Sequence, residues 1–278
     1  MNWLNVDDII RSALLEDIPY DDITTNSIIS KNTSSSVDLL VKEDGIIAGL
    51  DVFKRVFSLL GDVNIELFSI DGKEVYTGEH IAKITGNTRN ILAGERVALN
   101  YLQRMSGIAT LTRKFVKKLE GSNTKLLDTR KTSPNNRIFE KCAVKIGGGC
   151  NHRFNLSDGV LIKDNHIKAA GGIKNAIELV RKNVSFVRKI EVEVESLEEI
   201  EEALEAGADI IMLDNMDLNT MKKAVEMINK LALTEASGNI TLENISDVAK
   251  CGVDYISTGT ITHSYNVLDL SMKNLINI

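Results

Sequence analysis

Between Asp128 and His166 the chain gathers side chains suited to holding a small, multiply charged anion. The stretch contains Asp128-Thr129-Arg130-Lys131-Thr132, Gly147-Gly148-Gly149, Asn151-His152-Arg153 and Lys163-Asp164-Asn165-His166. Seven Lys and Arg stand against four Asp and Glu there, a local charge of +3; the whole chain carries −6, which leaves −9 elsewhere. Arg offers a planar fork matched to carboxylate or phosphate, and Lys a compact point charge. Arg130, Lys131, Arg153 and Lys163 brought to one place would hold a dicarboxylate or a polyphosphate. Kept apart, they are ordinary solvated charges. His152 suits either a hydrogen bond within its own loop or donation to an anionic ligand. No second His or Cys stands at metal-ligand spacing beside it. The glycine run either ends a preceding helix or lets a ligand approach the backbone.

Acids and small-residue turns complete the set. In Ile190-Glu191-Val192-Glu193-Val194-Glu195, strand alternation puts the three glutamates on one face, and that face cannot be a dry core. Asp214 ends the apolar run Ile210–Leu213. Glu193 and Asp214 could accept ribose hydroxyls, bind Mg²⁺ through water, or pair with the nearby cations. Ser237-Gly238-Asn239 and Ser257-Thr258-Gly259 follow the last two apolar runs. Such turns bind phosphate through backbone N–H groups at helix N-termini.

The elements that must position these residues change character along the chain. From Ser36 to Gly86, short strand patterns at Val37–Val41, Gly45–Gly49, Val63–Ile70 and His80–Thr85 are separated by turns such as Asp71-Gly72, with Val52–Leu60 helical between them. This predicts an antiparallel α+β domain, with Ser30–Ser36 a loop. Asn90–Leu119 reads as helical, broken near Gly107. From Lys125 onward strand and helix alternate, with strands expected at Lys125–Asp128, Gly159–Lys163, Lys189–Val194, Asp209–Leu213, Ala232–Ala236 and Tyr255–Ser257. Ser196 with Glu199 forms a capping box, and Leu197, Ile200 and Leu204 mark the buried face of the helix that follows. No G-x-G-x-x-G follows the first strand, so a β/α barrel is favoured over a dinucleotide-binding fold. Barrel chemistry is placed at the C-terminal strand ends, where Arg130, Lys131, Lys163, Glu193, Asp214, Ser237, Gly238 and Gly259 all fall.

Bulk properties exclude several classes. At 278 residues, 43% hydrophobic and 26% charged, the chain can bury a core without disulfides or metals. Its net acidity argues against nucleic-acid binding. No apolar run approaches a membrane span, and the N-terminus lacks the pattern of a signal peptide. Cys142, Cys150 and Cys251 show no C-x-x-C spacing and read as reduced, buried thiols of a cytoplasmic protein. Residues 3–14 suggest an amphipathic helix burying Leu4, Ile9, Ile10, Ala13 and Leu14, and the spacing beyond Leu268 allows a final helix.

The motifs together resemble the nicotinate-nucleotide pyrophosphorylase (carboxylating), or quinolinate phosphoribosyltransferase, family over essentially the whole length. Asp128–Thr132, Gly147–Arg153, Leu161–His166, Glu191–Glu195 and Ala236–Gly238 carry the likeness, with Glu95-Arg96 and Gln103-Arg104-x-Ser106-Gly107-Ile108-Ala109-Thr110. The resemblance implies a homodimer. Each chain would have an N-terminal α+β domain over residues 1–106, with 266–278 a candidate to join it, and an incomplete, seven-stranded α/β barrel over 107–265. Arg104 would enter the neighbouring subunit's site. Arg130, Lys131, His152, Arg153 and Lys163 would surround quinolinate. Glu193 and Asp214 would face the ribose and Mg²⁺ of phosphoribosyl pyrophosphate, and Ser237, Gly238 and Gly259 would hold phosphate. Lys131, Lys163, Glu193 and Asp214 are the implied catalytic set, and Mg²⁺ the implied cofactor, held through water or substrate. Two departures stand out: Asn135 and Asn239 replace residues that are usually Gly in this family. Both can adopt left-handed angles.

The implied reaction joins quinolinate to phosphoribosyl pyrophosphate and yields nicotinate mononucleotide, pyrophosphate and CO₂. Other readings of the same residues are a Schiff-base lyase using Lys131 or Lys163, a related transferase acting on another anion, as in molybdenum-uptake operons, and a non-catalytic anion-binding protein.

Overall fold

The structure is a computed structural model describing residues 1–278. In chain order it contains α1 (Trp3–Asp17), α2 (Ile23–Ile28), β1 (Ser34–Val41), β2 (Gly45–Ile46), α3 (Leu50–Leu60), β3 (Val63–Leu67), β4 (Glu74–Val75), β5 (His80–Asn87), α4 (Thr88–Lys118), β6 (Lys125–Leu127) and α5 (Arg137–Gly147). There follow β7 (Val160–Ile162), α6 (Asp164–Ala170), α7 (Ile173–Asn183), β8 (Ile190–Val194), α8 (Leu197–Glu205), β9 (Ile210–Asp214), α9 (Leu218–Ile228), β10 (Leu233–Ser237), α10 (Ile245–Ala249), β11 (Tyr255–Ser257), α11 (Thr260–His263) and β12 (Leu270–Asn277). Residues 1–113, 133–148 and 265–278 form one compact unit; 114–132 and 149–264 form the other. No helix is long and apolar enough to cross a membrane.

The first unit is built on an antiparallel sheet in the order β12-β1-β5-β3, beside a β2-β4 pair. The C-terminal segment is therefore a strand and not a helix: Val41 pairs with Leu270 and Ser35 with Asn277. Ser34–Ser36, expected in a loop, open β1 instead, where the Ser35 and Thr88 hydroxyls bond at 2.7 Å. In α1 the buried stripe is Val6, Ile10 and Leu14, while Leu4 is exposed. Helix α4 runs through Gly107 without a break. A Cβ at Gly107 would lie 2.1 Å from the Asn266 carbonyl oxygen, so this glycine serves close packing and not a turn.

The second unit carries six parallel strands in the order β6-β11-β10-β9-β8-β7. The first strand pairs with the last, Leu127 opposite Ser257, so the order is cyclic. On its other side β6 meets Cys150 in a single parallel bridge, with Cys150 donating to the Leu126 carbonyl at 2.8 Å and accepting from Asp128 at 3.2 Å. The six strands read from the sequence pattern are all present, and this one-residue bridge stands where the family resemblance implied a seventh. The segment entering the bridge is Gly148-Gly149, which favours a turn over extension. The ring stays open between Cys150 and β7. Ser196 caps α8 as expected, accepting from Glu199 N–H at 3.2 Å, while the Glu199 carboxylate takes the Glu195 N–H at 2.7 Å. The face of α8 that is buried is Ile200 and Ala203.

Gly107→Ala tests the role given to that glycine. The new methyl must displace backbone, so stability should fall by about 1–3 kcal/mol, as overpacking does. An unchanged midpoint in urea denaturation would show that α4 has slack there.

Candidate active site

Each of β8, β9 and β10 is five residues long, and alternation sends every second side chain into the ring. At the C-terminal ends the inward residues are Glu193, Asp214 and Ser237, joined by Lys163 after β7. They line a cavity of about 510 Å³ with Thr129, Arg130, Lys131, His152, Arg153, Gly238 and Asn239. Of the sequence-predicted site residues, Arg130, Lys131, His152, Arg153, Lys163, Glu193, Asp214, Ser237 and Gly238 thus share one cavity. Gly259 lies behind it: a Cβ there would come within 2.8 Å of Lys131 Cδ, so the missing side chain makes room for the lysine. Arg104 is not among the lining residues. It belongs to the first unit, where its guanidinium bonds Glu140 and Ser133 and lies 5.2 Å from the Tyr265 ring. Gly147 also belongs to the first unit and packs on α4, where a Cβ would lie 2.7 Å from the Ala109 carbonyl oxygen. The glycine run therefore ends α5, with Gly148 left-handed as its cap, and does not line the cavity.

The cations are held by short local contacts. Asp128, fully buried at the end of β6, accepts from the His152 N–H at 2.9 Å and from Asn151 Nδ2 at 2.5 Å, which fixes the His152-Arg153 loop. Arg153 donates to the Gly159 carbonyl at 3.0 Å. Burial, then the neighbouring Arg130 charge, lower the Arg153 pKa, with Glu191 opposing; the group remains cationic at neutral pH. Thr262 Oγ1 donates to the Lys131 carbonyl at 2.8 Å. Lys163 Nζ pairs with Glu193, and Asp214 accepts from Asn215 Nδ2 at 2.7 Å. The Ser237-Gly238-Asn239 turn runs into irregular chain, with the next helix starting only at Ile245, so an anion there would meet turn N–H groups and the Ser237 hydroxyl and not a helix N-terminus. Asn135 and Asn239 both hold left-handed angles, φ +64° and +51°.

One layer deeper is a group the sequence reading passed over. Glu235 lies two residues before Ser237 on the same inward face of β10, beside Glu191 and His152. His152 Nε2 is 3.1 Å from Glu191 and 3.5 Å from Glu235. Its Nδ1 accepts the Arg153 N–H at 2.6 Å, which places the ring proton on Nε2. The three side chains are close enough to surround a metal. With a proton on Nε2, however, the imidazole donates to the carboxyls and offers no lone pair, so the cluster holds protons and not a cation. Burial, followed by the Glu191 charge, pushes the Glu235 pKa from 4.5 up to about 8. The alternation that flagged Glu191 applies equally to Glu235 and is the signal that could have found it.

Glu235 makes stability depend on pH. The unfolded chain loses this proton near 4.5, whereas the folded chain keeps it to about 8. Between those values the folded state binds more protons, so its stability falls as pH rises. Urea midpoints measured from pH 5 to pH 8 should decline more steeply for the wild type than for Glu235→Gln. Parallel slopes would mean that Glu235 is not buried as an acid.

Comparison with known proteins agrees with this arrangement. The profile of the quinolinate phosphoribosyl transferase C-terminal domain matches residues 108–273, and that of the N-terminal domain matches 22–106. The chain is 44% identical over 274 residues to a probable nicotinate-nucleotide pyrophosphorylase [carboxylating] of Bacillus subtilis, covering 98% of this chain and 94% of that protein. It superposes on the crystal structure of NadC from Streptococcus pyogenes with a TM-score of 0.96 at 45% identity, covering 100% of this chain and 99% of the other. The nicotinate-nucleotide pyrophosphorylase of Francisella tularensis gives a TM-score of 0.93 at 39% identity, with 98% and 97% covered. With both of its domains matched in order along nearly the full length, the chain belongs to the quinolinate phosphoribosyltransferase family.

Proposed function

We propose that this protein transfers phosphoribose from phosphoribosyl pyrophosphate to quinolinate, releasing pyrophosphate and CO₂ and forming nicotinate mononucleotide for NAD synthesis. The observation that carries this reading is the convergence of Arg130, Lys131, Arg153 and Lys163, from three separate segments, on one cavity that also holds Glu193, Asp214 and the Ser237 turn. Two carboxylates on one ring and a pyrophosphate repel each other, and a cluster of cations beside two acids is what can seat both in line.

In this reading Arg130, Lys131, Arg153 and Lys163 grip the quinolinate carboxylates and aim the pyridine nitrogen at the anomeric carbon. His152 backs Arg153 through its backbone bond. Glu193 and Asp214 take the ribose hydroxyls, and Ser237 with Gly238 takes phosphate. Glu193 and Asp214 also suit Mg²⁺ held through water or substrate, since both are carboxylates with part of their surface open to the cavity. When bound, Mg²⁺ supplies charge to the departing pyrophosphate. Once glycosylated, the ring nitrogen is cationic and accepts the electrons released as the neighbouring carboxylate leaves, so no protein nucleophile is needed.

The reading includes a homodimer in which Arg104 reaches the partner's site. Its support is that Arg104 lines an open groove of about 500 Å³ on the first unit, with Arg96, Asn100 and Asn136. It also includes a cytoplasmic location, in keeping with three cysteines that form no disulfide.

Quinolinate-dependent pyrophosphate release by the purified protein is the central test, and its absence would remove the reading. Arg153→Ala and Lys163→Ala should each cut kcat/KM for quinolinate by about 10- to 100-fold, the value of one charge-assisted hydrogen bond; near-normal kinetics in both would misplace the substrate. Mixing the impaired Arg104→Ala and Lys163→Ala proteins should raise activity above that of either alone, because one site of a mixed dimer regains both groups. No recovery after subunit exchange would argue that each chain works alone.

A further inference from the structure

Loss of CO₂ leaves an electron pair on the ring carbon that bore the carboxylate, and that carbon must gain a proton before product forms. In the reading above the cations of the upper cavity hold the substrate's carboxylates, with Lys163 resting on Glu193 until substrate arrives. Directly beneath them lies a group that already carries an exchangeable proton. Glu191 and Glu235 sit side by side, 3.1 and 3.5 Å from the same His152 Nε2, and two buried carboxyls that close do not both ionise. Glu235 is 2% exposed and Glu191 4%, and the Oε1 atom of each has no partner. An unpaired carboxyl oxygen on a buried residue that lines a cavity calls for a water, a ligand or a catalytic role.

Glu235 also lies at a junction. It lines the upper cavity, and it lines a second cavity of about 610 Å³. The second cavity is lined by Val160, Lys189, Ile210, Leu233 and Tyr255 at the starts of their strands, and by Leu127, Asn151, Arg153 and Gly159 beside the gap between Cys150 and β7, so it reaches from the interior toward the opposite mouth of the barrel. Barrel interiors are ordinarily filled by side chains. Here the inward residues leave a hollow on each side of one acid.

Resting on the phosphoribosyl-transfer reading above, we propose that Glu235 is the catalytic acid that protonates the ring carbon vacated by CO₂, and that it regains its proton through the cavity at the barrel's far mouth. The bond between the ring carbon and its carboxylate breaks, CO₂ departs, and the electron pair stays on the ring carbon, stabilised by the adjacent cationic nitrogen. As CO₂ departs that carbon takes the proton from Glu235, whose O–H electrons remain as carboxylate, so CO₂ cannot recombine and the step is drawn forward. The His152 Nε2–H, 3.5 Å from Glu235, faces the resulting carboxylate, the Glu191 charge beside it favours its prompt reprotonation, and a solvent proton arriving past Lys189 and Tyr255 restores the acid. Substrate filling the upper cavity would block solvent from above, so the lower route is the one left open. A buried carboxyl that holds its proton to about pH 8 is poised to donate it at neutral pH.

The test uses the full chain with Mg²⁺, phosphoribosyl pyrophosphate and quinolinate labelled in the carboxylate that is lost, followed in single turnover for both pyrophosphate and CO₂. In the wild type the two products should appear together. Glu235→Gln keeps shape but has no acid. It should release pyrophosphate within about threefold of the wild-type rate while CO₂ formation slows by about 10²-fold or more, the usual value of a general acid, and the carboxylated mononucleotide should accumulate. Glu235→Asp, which retains the acid, should recover part of the CO₂ step and serves as the main variant if the Gln form does not fold. Equal loss of both products in each variant would mean a structural role, and unchanged CO₂ release would assign the proton to another donor; either result overturns the proposal. A wild type that makes no pyrophosphate with quinolinate defeats instead the underlying reading of function.

Discussion

Everything in the second unit follows from putting charge on the inside of a small ring of parallel strands. Glu191, Glu193, Asp214 and Glu235 all occupy inward positions set by period-two alternation. Carboxylates cannot pack as a dry core, because each needs a hydrogen-bond partner or water. The interior is therefore hollow, and the apolar stabilisation moves to the outer surface of the strands. There Val192, Val194, Ile211, Leu213, Ala236 and Ile256 are fully buried, facing the layer of helices that supplies Ile177, Ile200, Ala203, Met221, Ala224 and Ile228. Division of labour between an apolar outer layer and a polar lumen lets the same strands carry both stability and chemistry.

The lumen is arranged so that opposite charges neutralise each other without locking. Lys163 with Glu193 is the clearest case. The lysine side chain is 45% exposed and the glutamate 11% exposed, and a pair that open to water contributes little to stability. Incoming carboxylates and ribose hydroxyls can therefore exchange partners with it at small loss. Asp128 is the contrasting case. It is fully buried, and its bonds to the His152 N–H and Asn151 hold the loop that carries Arg153. One pair is built to be traded for substrate, and the other to keep a cation in register.

Local pattern carried most of this. The six parallel strands were legible to within two residues because each is a short apolar run bounded by turn residues, and Lys163, Glu193, Asp214 and Ser237 were legible because each ends such a run. Features set by distant chain were not. The segment after Leu268 alternates in a way that fits helix or strand, and only pairing with β1, far away in sequence, decides for strand. Gly107 looks like a helix breaker until the Asn266 backbone is seen against it. Glu235 escaped for another reason. It is a single acid in Leu-Thr-Glu-Ala-Ser, without the repeated glutamates that made β8 conspicuous, although the same alternation governs both strands.

The asparagines at positions 135 and 239 show how a loop keeps its shape when glycine is absent. Asn239 adopts φ +51°, an angle that asparagine tolerates better than most side chains. Its Nδ2 donates to Asn215 Oδ1 at 3.1 Å, and Asn244 Nδ2 donates to the Asn239 carbonyl at 2.9 Å. Gly238 is the residue that must stay bare, since a Cβ there would lie 2.1 Å from that same Asn215 oxygen. Glycine at 239 would leave the turn free to sample other angles. Asparagine fixes it through one side-chain bond to the loop after β9. The cost is a bulkier rim beside the Ser237 hydroxyl, and the compensation is a turn whose N–H groups are oriented before any anion arrives.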